Sequence, residues 1–144
     1  MYQLTPSIQT ALAGFQDISP EQWLAKPNPS KWSKQEILGH LIDSAINNLQ
    51  RFTEIQHQPK PFAIRDYQQD NLVAANVYQE HNIQAMVNLW LALNDQIGWI
   101  MDHQTKDQLS QEIVLTSGSK FNLQWLMEDY VKHLNHHLDQ ILED

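Results

Sequence analysis

Seven histidines and no cysteine occur in the 144 residues, so imidazole and carboxylate groups are the strongest metal ligands available. Three of these histidines, His133, His136 and His137, lie together in a segment with helical periodicity. Side chains four residues apart share one helix face, so His133 and His137 can converge on one ion. On a helical wheel both flank the apolar face centred near Leu134 and Leu138, whereas His136 points to solvent. The spacing predicts half of a divalent metal site, although a solvated helix edge gives the same pattern.

A third ligand must come from another helix, and His40 is the candidate. It shares a polar stripe with Ser44, Asn47 and Arg51. The apolar face of the same helix is centred roughly 140° from His40, so periodicity alone predicts an exposed side chain. The other histidines lie near predicted helix ends and are expected to be ordinary polar or capping residues: His57, His81 and His103.

Four long amphipathic helices are predicted to position these residues, because apolar side chains recur at helical spacing in four segments. Capping residues, prolines and the last periodic side chains indicate where each helix starts and ends. The start and end signals are Thr5-Pro6 and Ser19-Pro20 for the first helix, the Ser33 and Glu36 capping box and Pro59 for the second, Asn82 and Met101 for the third, and Asn122 and Ile141 for the fourth. With no central strands, the pattern predicts an all-α four-helix bundle in one domain over residues 1–144. Four of its five tryptophans, Trp32, Trp90, Trp99 and Trp125, are expected mostly in the core.

The connections between these helices are predicted to be polar and partly ordered. Residues 20–32 are punctuated by proline and read as a loop with a short turn, and residues 58–70 form a long connection. A short helix is predicted over residues 71–78. Residues 112–115, followed by Ser117-Gly118, predict a small hairpin.

Composition excludes several classes of function. The chain has 9 Lys+Arg against 17 Asp+Glu and a formal charge of −8, so it would repel nucleic-acid phosphates. No apolar run approaches the ~20 residues of a membrane span. The N-terminus has neither the basic nor the apolar region of a signal peptide, so we expect a cytoplasmic protein with no nucleic-acid or membrane partner.

The segments Lys31–Leu41 and His133–Ile141 together resemble the DinB superfamily, whose YfiT-like members are regarded as metalloenzymes. That family has a four-helix bundle with a long connection between its second and third helices. The resemblance implies that His40, His133 and His137 surround a divalent metal. One departure concerns the residues after the second ligand of the pair, where many members have Arg-Gly-Gln and this chain has Leu-Asp-Gln. If that arginine contacts substrate in those members, the chemistry here differs.

Three imidazoles around a divalent ion would leave a coordination position open for water or substrate. Zinc is the first candidate, with nickel, manganese or iron as alternatives. Such an ion lowers the pKa of bound water or keeps a thiol as thiolate, and without cysteine that thiol must be a small cosubstrate. The resemblance implies a metal-dependent transferase using a low-molecular-weight thiol, or a hydrolase. The alternative is a non-catalytic bundle that serves dimerisation or partner binding, and a homodimer is possible in either case.

Four further residues are candidates to support the ligands or contact substrate. Asp43 lies one turn from His40, and Asp129 lies one turn before His133, so either carboxylate could accept the second imidazole proton. Asn47 continues the polar stripe of His40. Arg51 could bind an anionic substrate group through two parallel hydrogen bonds. Solvated charges and a surface ion pair are the alternatives for these residues, and no catalytic base is assigned.

Overall fold

The computed structural model describes residues 3–144. Four long helices form its body, and shorter helices, a single 3₁₀ turn and three short strands lie between them. The long helices are α1 (Leu4–Phe15), α3 (Lys34–Glu54), α5 (Ile83–Asp102) and α7 (Leu123–Leu142). The other elements are α2 (Pro20–Leu24), β1 (Phe62–Ala63), α4 (Gln69–Asn76), the 3₁₀ turn Tyr78–Glu80, α6 (Lys106–Leu109), β2 (Glu112–Val114) and β3 (Lys120–Asn122).

Local capping interactions start three of the long helices where the sequence predicts. Ser33 and Glu36 form the predicted capping box, in which each side chain accepts the other residue's backbone N–H. Asn82 and Asn122 cap α5 and α7 through their side-chain oxygens. The start of α1 differs, since it begins at Leu4 and Thr5 lies inside its first turn. Pro6 is tolerated in this first turn because the N–H that proline lacks would have no intrahelical acceptor there.

The packing order of the long helices is not their order in the sequence. α3 packs against α5 and α7, and α1 contacts the same two helices. The core between them is apolar and fully buried, with Trp90 of α5, Phe52 of α3 and Met127 of α7 at its centre. This four-helix bundle confirms the predicted fold class, and it places α3 beside α7.

A small three-stranded sheet joins the connection that follows α3 to the connection that precedes α7. β2 and β3 pair in the antiparallel sense, which confirms the predicted hairpin, and Gly118 occupies its turn with a φ of 87° that favours glycine. β1 pairs in parallel with β2, where Phe62 lies opposite Ile113. This strand has only two residues, too few for a periodic signal, and the sequence did not predict it.

Two other sequence predictions are wrong in detail. The helix predicted over residues 71–78 is shifted, since α4 ends at Asn76 and Val77 adopts a left-handed conformation with φ 54°. Trp99 is 62% exposed and does not belong to the core, whereas Trp90 is fully buried. None of the helices within residues 3–144 is long and apolar enough to cross a membrane.

Candidate metal centre

Three histidines from two helices meet in one cluster. His40 of α3, together with His133 and His137 of α7, places one ring nitrogen from each residue within 4.8 Å of the other two. The Nε2 atoms of His40 and His133 are 3.1 Å apart. The ring centroids of His40 and His137 are separated by 4.6 Å. The structure therefore brings together the three residues that the family resemblance implies as ligands, and their role as ligands stays a prediction.

Burial of His40 contradicts the exposure that periodicity predicts. The side chain has 0% relative exposure. Residues 38–45 of α3 are all buried, the polar side of the helix included. α5 and α7 cover part of this helix, and the segment around Tyr78 covers another part. Periodicity fails here because it assumes that one side of a helix faces water.

The electrostatic environment keeps these imidazoles neutral. Burial, together with the neighbouring His137 and His133, lowers the pKa of His40 to about 3. Burial likewise lowers the pKa of His133 to about 4. The pKa of His137 is also lowered by burial, although its hydrogen bond to Gln140 opposes the shift. Neutral imidazole is the form that binds a metal ion, so the cluster is suited to a cation at neutral pH.

Gln140 contacts the cluster, and the sequence reasoning did not assign it a role. Its Oε1 lies 2.8 Å from Nδ1 of His137. Because an amide oxygen only accepts, the Nδ1 nitrogen of His137 must carry the proton, which leaves Nε2 with its lone pair. A glutamine three residues after a candidate ligand on a helix is the signal that could have identified this contact. The same amide group lies 3.4 Å from Nε2 of exposed His136, whose predicted solvent orientation is confirmed.

The second nitrogen of His40 has no hydrogen-bond partner among residues 3–144. Nδ1 of His40 is buried and unpartnered. The Trp32 ring packs against the His40 ring at a centroid distance of 5.0 Å. Asp43, one turn further along α3, is also buried, and its Oδ2 is likewise without a partner. No hydrogen bond joins these two groups in the described chain.

The other oxygen of Asp43 is held by the connection between α4 and α5. Oδ1 accepts hydrogen bonds from the Tyr78 hydroxyl at 2.6 Å and from Nδ2 of Asn76 at 2.9 Å. Burial raises the pKa of Asp43, and these two hydrogen bonds oppose the shift. The residue between the two donors is Val77, which has the left-handed backbone conformation. That conformation is costly for a β-branched residue, and here it directs the side chains of the residues before and after it onto one carboxylate.

Gly39 allows Tyr78 to approach α3, and substitution by alanine should be destabilising. An added Cβ would lie 2.1 Å from Cδ2 of Tyr78, so the ring must move and its hydrogen bond to Asp43 must weaken. We expect Gly39→Ala to lower the free energy of unfolding by about 1–3 kcal/mol in urea titrations. Gly98→Ala is the matched control, because its Cβ would meet Leu4 at an ordinary 3.7 Å. Alanine favours a helix over glycine, so equal losses in both variants would contradict this explanation.

The three remaining candidate residues are not brought to the cluster. Nδ2 of Asn47 donates to the Asp43 backbone oxygen at 2.8 Å. Arg51 lies about 16 Å from His40 along the helix axis, where it donates to the Arg65 carbonyl and packs over the Tyr67 ring. Burial lowers the pKa of Arg51, and Tyr67 and Asp66 oppose this shift. Exposed Asp129 has no hydrogen bond or ion pair within the described part of the chain, so the geometry does not support its predicted contact with His133.

The donor set fits a borderline divalent ion. All three side chains are imidazoles, and zinc, copper, iron and nickel accept such ligands. Carboxylate oxygens, which calcium and magnesium prefer, are not part of the group of converging ligand atoms within residues 3–144. Three protein ligands are also the number found in catalytic zinc sites, where a further position stays open.

Comparison with solved structures shows the same fold in two proteins. YfiT from Bacillus subtilis, described as a probable metal-dependent hydrolase with an unusual four-helix bundle topology, matches with a TM-score of 0.85 and 18% identity. The match covers 96% of this chain and 79% of YfiT. A mycothiol-dependent maleylpyruvate isomerase matches with a TM-score of 0.58 and 14% identity over 94% of this chain and 60% of the isomerase.

The sequence comparisons agree with this result at the level of the family. No curated protein gives a significant match to the chain. The sequence profile of the DinB superfamily matches residues 3–141, which is nearly the whole chain. The fold and this match confirm the resemblance seen in the histidine motifs, and the chain belongs to the DinB superfamily.

Proposed function

We propose that the protein is a metal-dependent enzyme that acts on small molecules, with His40, His133 and His137 as the metal ligands. The observation that carries this proposal is the convergence of three neutral imidazoles from two helices within 4.8 Å. A divalent ion bound there, zinc in the first instance, would activate water or a low-molecular-weight thiol as a nucleophile. The description of YfiT as a probable metal-dependent hydrolase and the mycothiol dependence of the isomerase support these two nucleophiles respectively.

The residues around the cluster hold the ligands in the form that binds an ion. Gln140 accepts the Nδ1 proton of His137, so its Nε2 lone pair is free. We assign the matching task for His40 to Asp43, because each has one buried atom without a partner and they lie one helical turn apart. A proton shared between Nδ1 of His40 and Oδ2 of Asp43 would satisfy both atoms. Tyr78 and Asn76 would then position Asp43 from its opposite oxygen.

Gln140 offers a test of this arrangement that leaves all three ligands in place. Loss of its amide in Gln140→Leu frees the His137 ring to rotate, so we expect zinc affinity to fall about tenfold. Calorimetric titration of metal-free protein measures the change. Gln124→Leu removes a similar exposed amide from α7, where it donates to Glu128 at 3.0 Å, and should leave zinc affinity unchanged. If the two variants bind zinc equally well, Gln140 does not position a ligand.

The choice between transfer and hydrolysis requires an activity screen. Zinc-loaded protein is incubated with carbon electrophiles in the presence of cysteine or other low-molecular-weight thiols, and separately with ester and amide substrates in the absence of thiol. Consumption of thiol that depends on the ion and on His133 would identify a transferase. Ion-dependent hydrolysis without thiol would identify a hydrolase. Full zinc loading with neither activity across a broad panel would count against an enzyme.

The second candidate function is a bundle that dimerises or binds a partner without catalysis. Two large apolar side chains on α5 favour it, since Leu89 and Trp99 are 45% and 62% exposed. α5 carries no charged residue between Ile83 and Asn94, which is unusual for a surface helix of a chain with a net charge of −8. Light scattering after gel filtration tests the homodimer, and Trp99→Glu should dissociate it if α5 forms the interface.

A further inference from the structure

One cavity of the structure adjoins the candidate metal centre without belonging to it. This cavity, called here the Trp32 cavity, has a volume of about 690 Å³ and lies between α1, α2, the start of α3 and the end of α7. We propose that the Trp32 cavity binds an uncharged, largely apolar small molecule, which is the organic substrate of the metal centre. Binding of such a molecule follows from the cavity alone, whereas its role as the substrate rests on the proposed function.

Two lining side chains connect the Trp32 cavity to the cluster. Trp32 forms part of the wall, and its ring also contacts the His40 ring at a centroid distance of 5.0 Å. Gln140 forms another part, and its Oε1 lies 2.8 Å from Nδ1 of His137. The cavity wall therefore includes two residues that directly contact two of the three candidate ligands.

The size and walls of the cavity indicate a mainly apolar occupant. Volumes of about 300–1,000 Å³ are typical of sites for small organic molecules. Apolar atoms supply more of the exposed wall than polar atoms do, and they include the Trp32 ring and several aliphatic side chains: Ile18, Ala25, Pro27, Ile37, Ile141 and Leu142. An aromatic or aliphatic body would release water from both surfaces on binding, which is favourable. Apolar contact thus supplies the affinity.

Charge at the rim disfavours an anion. The lining contains two cationic side chains, Lys26 and Lys34. Lys26 forms an ion pair with Glu36 at 3.0 Å, and Lys34 donates to the backbone oxygens of Ile141 and Glu143 at the end of α7. Both cations therefore already have partners. Three acidic side chains also line the cavity, Asp17, Glu143 and Asp144, so a carboxylate or phosphate would meet net repulsion.

The polar cavity near Arg51 has the opposite character. It has a volume of about 620 Å³ and contains Arg51 and Arg65 together with Glu54 and Asp66. Its lining residues include none of the three candidate ligands, and Asn47 among them donates to the backbone oxygen of Asp43, which is not itself a ligand. An anionic molecule bound by Arg51 would be remote from the histidines. The Trp32 cavity is therefore the better assignment for the reacting molecule.

Two fluorescent probes with the same ring system test the charge preference. N-phenylnaphthylamine is neutral, and anilinonaphthalene sulfonate adds one negative charge to the same body. We expect the neutral probe to bind the zinc-loaded protein at least tenfold more tightly than the anion. Equal affinities, or tighter binding of the sulfonate, would overturn the proposal.

A pair of substitutions locates the bound probe. Ala25→Trp adds a large side chain to the cavity wall and should weaken binding of the neutral probe at least tenfold. Ala92→Trp makes the same change on the exposed side of α5 and should leave binding unchanged. Circular dichroism and zinc content confirm that both variants are folded and loaded. If Ala25→Trp binds the probe as well as the unchanged protein does, the Trp32 cavity is not the site.

A paramagnetic ion separates failure of this inference from failure of the proposed function. Replacement of zinc by paramagnetic copper(II), which accepts imidazole ligands, should broaden the proton resonances of the bound neutral probe, because the cavity borders the ligands. A probe that binds without broadening in copper-loaded protein would show that the cavity does not serve the metal centre. A protein that binds neither ion would contradict the proposed function, whereas the same fluorescence titration of the metal-free protein would still decide whether the cavity binds an uncharged molecule.

Discussion

Replacing any one of His40, His133 or His137 with alanine should lower zinc affinity at least tenfold, and about a hundredfold in the strongest case. Loss of a residue that only supports a ligand costs 10–100-fold in other metalloproteins, so loss of a ligand itself should cost no less. The effect is expected for residues on both helices, because each supplies a nitrogen within 4.8 Å of the others. Calorimetric titration of metal-free protein with zinc is the measurement.

His136→Ala is the matched control for these variants. His136 lies on the same helix turn as the pair, but it is exposed and does not belong to the converging group within residues 3–144. Its removal should leave zinc affinity within about twofold of the unchanged protein, because no ligand bond is lost. Retention of zinc by His133→Ala, together with loss by His136→Ala, would show that the wrong pair of histidines had been chosen.

Acid should destabilise the metal-free protein in a range where ordinary carboxylates are still ionised. Burial lowers the pKa of His40 to about 3 and that of His133 to about 4, whereas an ordinary histidine has a pKa of about 6.5. The unfolded chain therefore takes up protons below about pH 6.5 that the folded chain does not. The contribution of these neutral histidines to the free energy of unfolding should be fully present above that pH, and it should decrease as the pH falls towards 4. Urea titrations at several pH values measure the slope.

Between pH 6.5 and 5 we expect unfolding of the metal-free protein to take up about one to two additional protons. Asp43 acts in the opposite sense, because burial raises its pKa and its protonation favours the folded chain at low pH. The double variant His40→Gln, His133→Gln separates the two effects, since it removes two imidazoles of lowered pKa and keeps Asp43. A pH slope that is the same in this variant would show that these two histidines do not cause the acid sensitivity.

The helices could be predicted from sequence because their signals are local. The Ser33 capping box, the Asn82 and Asn122 caps and the apolar spacing depend on residues within one or two turns. β1 could not be predicted in this way, because two residues next to a proline-rich segment become a strand only by pairing with Ile113. The shift of α4 has a similar cause, since the left-handed Val77 and the contact of Tyr78 with Asp43 end that helix.

The site was predictable in part. The i, i+4 spacing of His133 and His137 selects the face of α7 that meets His40, because one side of that helix does face solvent. The wheel failed for His40, since α3 is covered on its polar side as well, and the family motif identified this residue instead. Contacts between distant segments, such as Trp32 with the His40 ring, have no signature in periodicity. These tertiary contacts determine the burial and pKa of the cluster.

The metal content of the protein tests the central claim most directly. Protein purified without an affinity tag is stripped with chelator, supplied with zinc, dialysed and analysed for metal by mass spectrometry, in parallel with His40→Ala. The account predicts one tightly held ion per chain in the unchanged protein and less than a tenth of that in the variant. Equal zinc in both proteins, or none in the unchanged protein after supplementation, would contradict a metal centre built on His40, His133 and His137.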